Sequence, residues 1–164
     1  MSIVYLGLGS NLGDSEAILD AALLELSALL GDCKASSMYR SKARYLTEQP
    51  DFLNIVVRGA CRLSPTALLE ATQAIEAAHG RDRAKETLKG PRTLDIDLLL
   101  YDGLSIKTPV LELPHPGIAE RAFVLVPLVE LESGLADPVS GTAYARLLAL
   151  LPEQGIYLYR QARL

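Results

Sequence analysis

The sequence has no long hydrophobic run, no cysteine cluster and no excess of positive charge, and each absence removes a class of function. No apolar stretch approaches the roughly 18 residues that a membrane span requires. The chain passes from Met1-Ser2 straight into Ile3-Val4-Tyr5-Leu6, with no basic segment or small-residue cleavage site, so a cytoplasmic protein without membrane contact is expected. Its two cysteines, Cys33 and Cys61, sit in apolar strand-like surroundings without CxxC spacing, which predicts buried free thiols rather than a zinc site or a redox pair. Sixteen Lys and Arg against twenty Asp and Glu leave a net charge of −4. No overall positive field is available to hold nucleic acid or anionic lipid.

The composition, 49% hydrophobic and 22% charged over 164 residues, is that of an ordinary globular chain, able to bury about 70% of its unfolded surface. No repeat, low-complexity tract or linker divides it, so residues 1–164 are read as a single domain. Ile3 to Leu8 reads as a strand, followed by turn-rich Gly9-Ser10-Asn11-Leu12-Gly13-Asp14. From an N-cap at Asp14 or Ser15, Ile18, Leu19, Ala22, Leu23, Leu26, Leu29 and Leu30 recur at helical spacing as far as Gly31, a candidate C′ residue. Ala35 to Arg40 and Phe52 to Cys61 read as extended, joined by the polar segment Ser41 to Pro50. Ser64-Pro65 offers an N-cap and N1 proline to a second helix ending at Gly80. Thr93 to Tyr101 forms another strand, and Asp102-Gly103 has the composition of a type I′ hairpin turn. The order βαββαβ, with both helices free to cover one face of an antiparallel sheet, is the ferredoxin-like arrangement of an α+β protein. Helical segments at Ile118 to Leu131 and Thr142 to Leu151, and a strand at Ile156 to Tyr159, make a C-terminal α/β extension.

Asp95-Ile96-Asp97 places two carboxylates on one strand face about 7 Å apart. Such a pair could line a solvated face, or it could bind a hard cation such as Mg²⁺ together with substrate phosphates. The neighbouring segment tips the reading. Arg81, Arg83, Lys85, Lys89 and Arg92 lie with Asp82 and Glu86 in one twelve-residue stretch of net charge +3. Arginines present planar donors to phosphate oxygens, and a cation on the aspartates would neutralise the same polyphosphate from its other side.

Gly7-Leu8-Gly9-Ser10-Asn11-Leu12-Gly13 is spaced GxGxxxG and is not followed by Lys-Ser or Lys-Thr, so it is no dinucleotide or P-loop fingerprint. Its glycines are expected to serve the strand-to-helix turn, with Asn11 free to orient a site residue. His115 lies in the rigid turn Leu113-Pro114-His115-Pro116-Gly117, shortly before Arg121. His79 is expected to make a dipole contact at the end of its helix. The only phenylalanines, Phe52 and Phe123, could pack in the core or could flank a planar heterocycle. Asn54, two residues after Phe52, has an amide suited to reading the edge of such a ring.

Taken in order, Gly9-Ser10-Asn11-Leu12-Gly13, Gln49-Pro50-Asp51-Phe52-Leu53-Asn54, Gly80-Arg81-Asp82-Arg83, Gly90-Pro91-Arg92-Thr93-Leu94-Asp95-Ile96-Asp97, Leu113-Pro114-His115-Pro116 and Arg121-Ala122-Phe123 resemble the 6-hydroxymethyl-7,8-dihydropterin pyrophosphokinase family. The resemblance covers nearly the whole chain. It implies ATP-dependent transfer of diphosphate to the hydroxymethyl oxygen of the pterin, leaving AMP, in folate biosynthesis. It also implies two Mg²⁺ ions on Asp95 and Asp97, and charge stabilisation by Arg81 and Arg92. ATP contacts are implied at Gln73, Glu76, Arg83, Leu98, His115 and Arg121. Pterin contacts are implied at Ser41, Phe52, Asn54, Asp95 and Phe123. The chain departs from the family pattern at Ser41 to Glu48, where prolines and a glycine are usual, and at Lys89, where an aromatic is frequent.

Two other readings compete: a non-catalytic ferredoxin-like module that binds a small molecule, and another Mg²⁺-dependent nucleotide transferase. A passive module has little use for so many phosphate-directed arginines beside two aspartates. A monomer with small-molecule substrates is expected.

Overall fold

The computed structural model describes residues 1–163. In chain order it contains β1 (Ser2–Ser10), α1 (Ser15–Leu29), β2 (Gly31–Ala35), β3 (Met38–Ser41), β4 (Phe52–Cys61), α2 (Pro65–Ala78) and β5 (Asp95–Tyr101). A short ribbon of β6 (Ile106–Lys107) and β7 (Glu112–Leu113) follows. Then come a 3₁₀ turn at Ile118–Glu120, α3 (Ala122–Leu131), α4 (Tyr144–Leu150) and β8 (Ile156–Arg160). The main sheet runs β5-β1-β4-β3-β8, with β2 also on β4, and every pairing is antiparallel. Both β2 and β3 pair with β4, one with each half, so they act as one strand interrupted at Ser36-Ser37. At the break, the Val56 N–H donates to Ser36 Oγ at 3.0 Å in place of a backbone acceptor. Counting β2 and β3 as one strand yields the ferredoxin-like βαββαβ order, with β8 added beyond β3.

Local chemistry accounts for the helices. Asp14, not Ser15, caps α1 by accepting from Ala17 N at 3.1 Å, and Ser64 Oγ caps α2 by accepting from Ala67 N at 3.2 Å. Gly80 takes the left-handed conformation past the end of α2, at φ +84°. Gly31 does not do so after α1. Leu30 there is extended, at φ −109° and ψ 137°, and buried, so the chain turns directly into β2 and Gly31 becomes its first residue. His79 finds a side-chain partner as well as a helix end, since its Nε2 lies 2.6 Å from Glu25 Oε1 of α1.

Alternation along the strands divides the core. Val4, Leu6, Leu8, Leu53, Ile55, Val57, Ile96 and Leu98 pack under α1 and α2, while Tyr5, Val56, Leu99 and Leu100 pack under α3 and α4. Leu99 and Leu100 share a face because the β1–β5 register slips by one residue, with Tyr5 opposite Leu100 and Leu6 opposite Leu98, as in a β-bulge. Asp102-Gly103 does not close a hairpin. Asp102 is left-handed at φ 46°, Gly103 is not, and the Asp102 carboxylate accepts from Ile3 N of β1 at 2.6 Å, so the chain leaves β5 for the β6–β7 ribbon. The expected helix from Ile118 to Leu131 breaks at Arg121, which is extended at φ −115° and ψ 102°. Cys61 is buried and Cys33 half-buried, both as free thiols.

Candidate active site

On the α3 side of the sheet, β1 runs between β4 and β5 and contributes two residues without side chains. Gly9 lies between Asn54 and Asp95, and Gly7 between Val56 and Asp97. The result is a trough with an amide and an aromatic ring on one bank and two carboxylates on the other. A Cβ at Gly9 would sit 3.5 Å from Asn54 Oδ1 and 3.7 Å from the Phe52 ring, and one at Gly7 would sit 3.3 Å from Leu99, filling the floor. Of the glycines expected in the strand-to-helix turn, only Gly13 serves it, at φ +81°. Gly7 and Gly9 are strand residues whose value lies in the space they leave.

The trough opens into a cleft of about 340 Å³, a usual size for a small-molecule site. Ser41, Phe52, Asn54, Arg81, Arg83, Arg92, Asp95, Asp97, His115, Arg121 and Phe123 all line it. Three residues expected on the nucleotide side do not. Gln73 is exposed on α2, the Leu98 side chain lies in the core under the helices, and Glu76 is buried at 1% exposure. Glu76 instead anchors the basic segment. Its carboxylate accepts from Arg81 Nη1 at 2.7 Å, Arg83 Nη2 at 2.5 Å and Ile96 N at 2.7 Å. The helical edge shared by Gln73 and Glu76 was legible in their spacing. The burial of Glu76 was not, because its partners arrive from a later segment.

The two aspartates differ in how they are neutralised. Asp95 accepts from Arg81 at 2.6 Å and lies 3.8 Å from Arg92. Burial opposes the charge on Arg81, but Glu86, Asp95 and Glu76 outweigh it and push the guanidinium pKa up. Among the described residues no arginine lies within ion-pair distance of Asp97. Burial in the cleft and the charge of Asp95 push it up to about 7, against the more distant pull of Arg121 and Arg92. Its partner within 4 Å is His115, whose Nε2 lies 3.8 Å from Asp97 Oδ2. Gly117 N–H donates to His115 Nδ1 at 3.0 Å, which places the proton of the neutral ring on Nε2, facing Asp97. Burial and Arg121 hold the His115 pKa below its usual value, in keeping with a neutral ring.

An under-compensated carboxylate beside a second one is a fitting donor set for a hard cation. Among the described residues no group of three His, Cys, Asp or Glu could hold a metal ion, so the pair would need substrate oxygens to complete a coordination shell. The opposite need appears on the arginines. Arg92 Nε and Arg121 Nε are buried without a hydrogen-bond partner among the described residues, and buried donors of this kind call for an acceptor. Gly117 makes room for Arg121, since a Cβ there would fall 2.6 Å from the guanidinium carbon.

At the other end, the Asn54 amide donates to Ser41 Oγ at 2.8 Å and to Tyr39 O at 3.4 Å. Both donors are therefore used within the protein, and the acceptor Oδ1 faces the trough above Gly9. Phe52 and Phe123 are half-buried on the cleft wall rather than lost in the core. Residues not singled out for the site by sequence, including Gly7, Gly9 and Tyr45, also line the cleft. Asn11, expected to orient a site residue, accepts from Arg92 N at 3.0 Å and donates to Gln49 Oε1 at 2.8 Å and Pro50 O at 3.0 Å.

Comparison with known proteins gives this arrangement a family. Residues 5–133 match the family described as 7,8-dihydro-6-hydroxymethylpterin-pyrophosphokinase. The chain is 42% identical over 158 residues to the 2-amino-4-hydroxy-6-hydroxymethyldihydropteridine pyrophosphokinase of Methylorubrum extorquens, covering 95% of this chain and 98% of that protein. It is 41% identical over 159 residues to the folic acid synthesis protein fol1 of Schizosaccharomyces pombe, covering 96% of this chain but only 21% of the much longer yeast protein. A crystal structure of Plasmodium falciparum HPPK-DHPS superposes on 90% of this chain and 45% of its own at a TM-score of 0.72 and 15% identity, a likeness of fold. By the extent of the family match and of the bacterial relationship, the chain belongs to the 7,8-dihydro-6-hydroxymethylpterin-pyrophosphokinase family.

Proposed function

We propose that this chain transfers the terminal diphosphate of ATP to the hydroxymethyl oxygen of 6-hydroxymethyl-7,8-dihydropterin, in folate biosynthesis, and that the two banks of the cleft divide the work. The observation that carries the reading is the glycine-floored trough, which joins an amide-and-aromatic end to a carboxylate-and-arginine end.

Phe52 and Phe123 would flank the pterin ring, while Asn54 Oδ1, oriented by Ser41, accepts from its edge. Such placement brings the hydroxymethyl oxygen toward Asp95 and the phosphates. That oxygen bonds to the β-phosphorus, the bridge from the β-phosphorus to the α-phosphate oxygen breaks, and AMP leaves with the electron pair. The hydroxyl proton passes to solvent. Asp95 and Asp97 would hold two Mg²⁺ ions, which when bound neutralise phosphate charge. Arg81 and Arg92 stabilise the charge that moves onto the leaving phosphate, and Arg83, His115 and Arg121 hold the remaining phosphate oxygens. Glu76 fixes Arg81 and Arg83 from behind. Positioning and electrostatics dominate a transfer of this kind, which asks little covalent chemistry of the protein.

We read residues 1–164 as one pyrophosphokinase domain acting as a monomer, because a single cleft carries both the amide-and-aromatic end and the carboxylate-and-arginine end. The free thiols of Cys33 and Cys61 suit a reducing compartment such as the cytoplasm. The test is to incubate the protein with ATP, Mg²⁺ and 6-hydroxymethyl-7,8-dihydropterin and to identify the nucleotide product. AMP that forms only when the pterin is present supports the reading; ADP, or no turnover, rejects it.

A further inference from the structure

We infer that Tyr45 is a positioning residue: its hydroxyl sets Arg121, and its ring, through Lys89, holds the basic segment 81–92 across the cleft mouth. The inference rests on the reading of Arg121 as a phosphate-facing group.

Tyr45 lies in the segment between β3 and β4 and lines the cleft. Three cations gather on its ring. Lys89 Nζ sits 3.7 Å from the ring centroid, and the guanidinium carbons of Arg44 and Arg121 each lie 5.8 Å away. Arg121 Nη2 also donates to the Tyr45 hydroxyl at 3.3 Å, while Arg44 donates to the carbonyl of Glu120 next door. Among the described residues none of these three cations has a carboxylate partner within ion-pair distance, so the ring face is the negative surface on offer.

Lys89 is held at its backbone as well. It is left-handed, at φ 58°, a conformation that a non-glycine residue keeps only where its surroundings impose it. Gln49 Nε2, from the same segment as Tyr45, donates to Lys89 O at 3.1 Å. The two segments that form the mouth are thus joined twice, once through Gln49 and once through Tyr45. The clasp also touches Arg121, whose charge acts on Asp97 across the cleft. An arginine oriented before the nucleotide arrives binds with less ordering cost, and phosphate contacts benefit most from such preorganisation.

Three variants separate the two contacts. Tyr45→Phe keeps the ring and loses the hydroxyl, Lys89→Met loses the cation and keeps the hydroxyl, and Tyr45→Ala loses both. Affinity is read by calorimetry with an ATP analogue carrying a methylene group between the α- and β-phosphorus, which cannot be cleaved. The hold on the basic segment is read by trypsin cleavage after Arg83 and Lys85, whose side chains are 56% and 84% exposed. Tyr45→Phe is expected to weaken the analogue about 2- to 5-fold and to raise KM for ATP with kcat held, while cleavage stays at the wild-type rate. Lys89→Met and Tyr45→Ala are expected to be cleaved about 2- to 5-fold faster, the scale of one exposed cation–π contact. Wild-type affinity in Tyr45→Phe overturns the role of the hydroxyl. Wild-type cleavage in both Lys89→Met and Tyr45→Ala overturns the clasp. Unchanged analogue affinity in Arg121→Ala would instead reject the phosphate role of Arg121, and the cleavage rates would still judge the clasp.

Discussion

Asn11 and Arg92 are joined by reciprocal hydrogen bonds, Asn11 N donating to Arg92 O at 3.2 Å and Arg92 N donating to Asn11 Oδ1 at 3.0 Å. The same buried side chain reaches Gln49 and Pro50, so one amide at the end of β1 fixes both segments of the cleft mouth. Asn11→Ala would leave the Arg92 N–H and the Pro50 carbonyl without their partner. The expected loss of stability is about 2 kcal/mol, measured by denaturant unfolding, together with a lower kcat because Arg92 is released. Loss of stability with unchanged kcat would show that Arg92 keeps its place without Asn11.

Among the described residues the buried Arg92 Nε has no hydrogen-bond partner, and its guanidinium makes a long contact to Asp95 at 3.8 Å and lies 5.7 Å from the Phe52 ring centroid, so its charge is available to substrate. Arg92→Ala is expected to lower kcat by about 10² to 10³-fold, the scale of one preorganised stabilising donor, with little change in substrate affinity. A raised KM at constant kcat would make Arg92 a uniform binding contact instead.

The acid pair was legible in the sequence because strand alternation has a fixed period of two, and Asp95 and Asp97 do share a face. The role of Gly7 and Gly9 was not, since a glycine that frees a turn and one that clears a strand face look alike in sequence. Only the pairing of β1 with β4 and β5 tells them apart. The His79–Glu25 and Glu76–Arg81 contacts were hidden for another reason: each joins segments whose approach is set by tertiary packing. The apolar spacing around Arg121 predicts a continuous helical stretch, whereas its extended backbone depends on neighbours. Ala122 N, freed by the break, donates to Gln154 Oε1 at 3.0 Å, thirty-two residues away.

Phe123 stands at the start of α3 with one face toward the cleft and the Arg121 guanidinium carbon 5.8 Å from its ring. Replacing it with alanine should weaken binding of the pterin about tenfold, the upper range for a lost aromatic stack. ATP affinity should fall by about threefold or less, through the single cation–π contact. Calorimetry with each ligand separately checks this. Equal losses for both ligands would make Phe123 a packing residue.

Asp97 carries the clearest conflict between stability and function in the molecule. A carboxylate raised to about 7 in the folded protein and near 3.9 when unfolded favours the folded state less once both forms are ionised. The penalty is absent below about pH 4, grows as pH rises between those values, and is complete above about pH 7. Asp97→Asn removes it. Without nucleotide or metal, the variant is therefore expected to be more stable than the wild-type protein at pH 8, by about 1 to 2 kcal/mol after allowance for the partial exposure of the carboxylate. At pH 4 the two should be equal. Turnover should be lost at every pH, because an amide cannot replace an ionised metal ligand. Denaturant unfolding at the two pH values, beside the AMP assay, tests both halves. A variant less stable than wild type at pH 8 would mean that Asp97 is held by favourable contacts rather than poised for a cation.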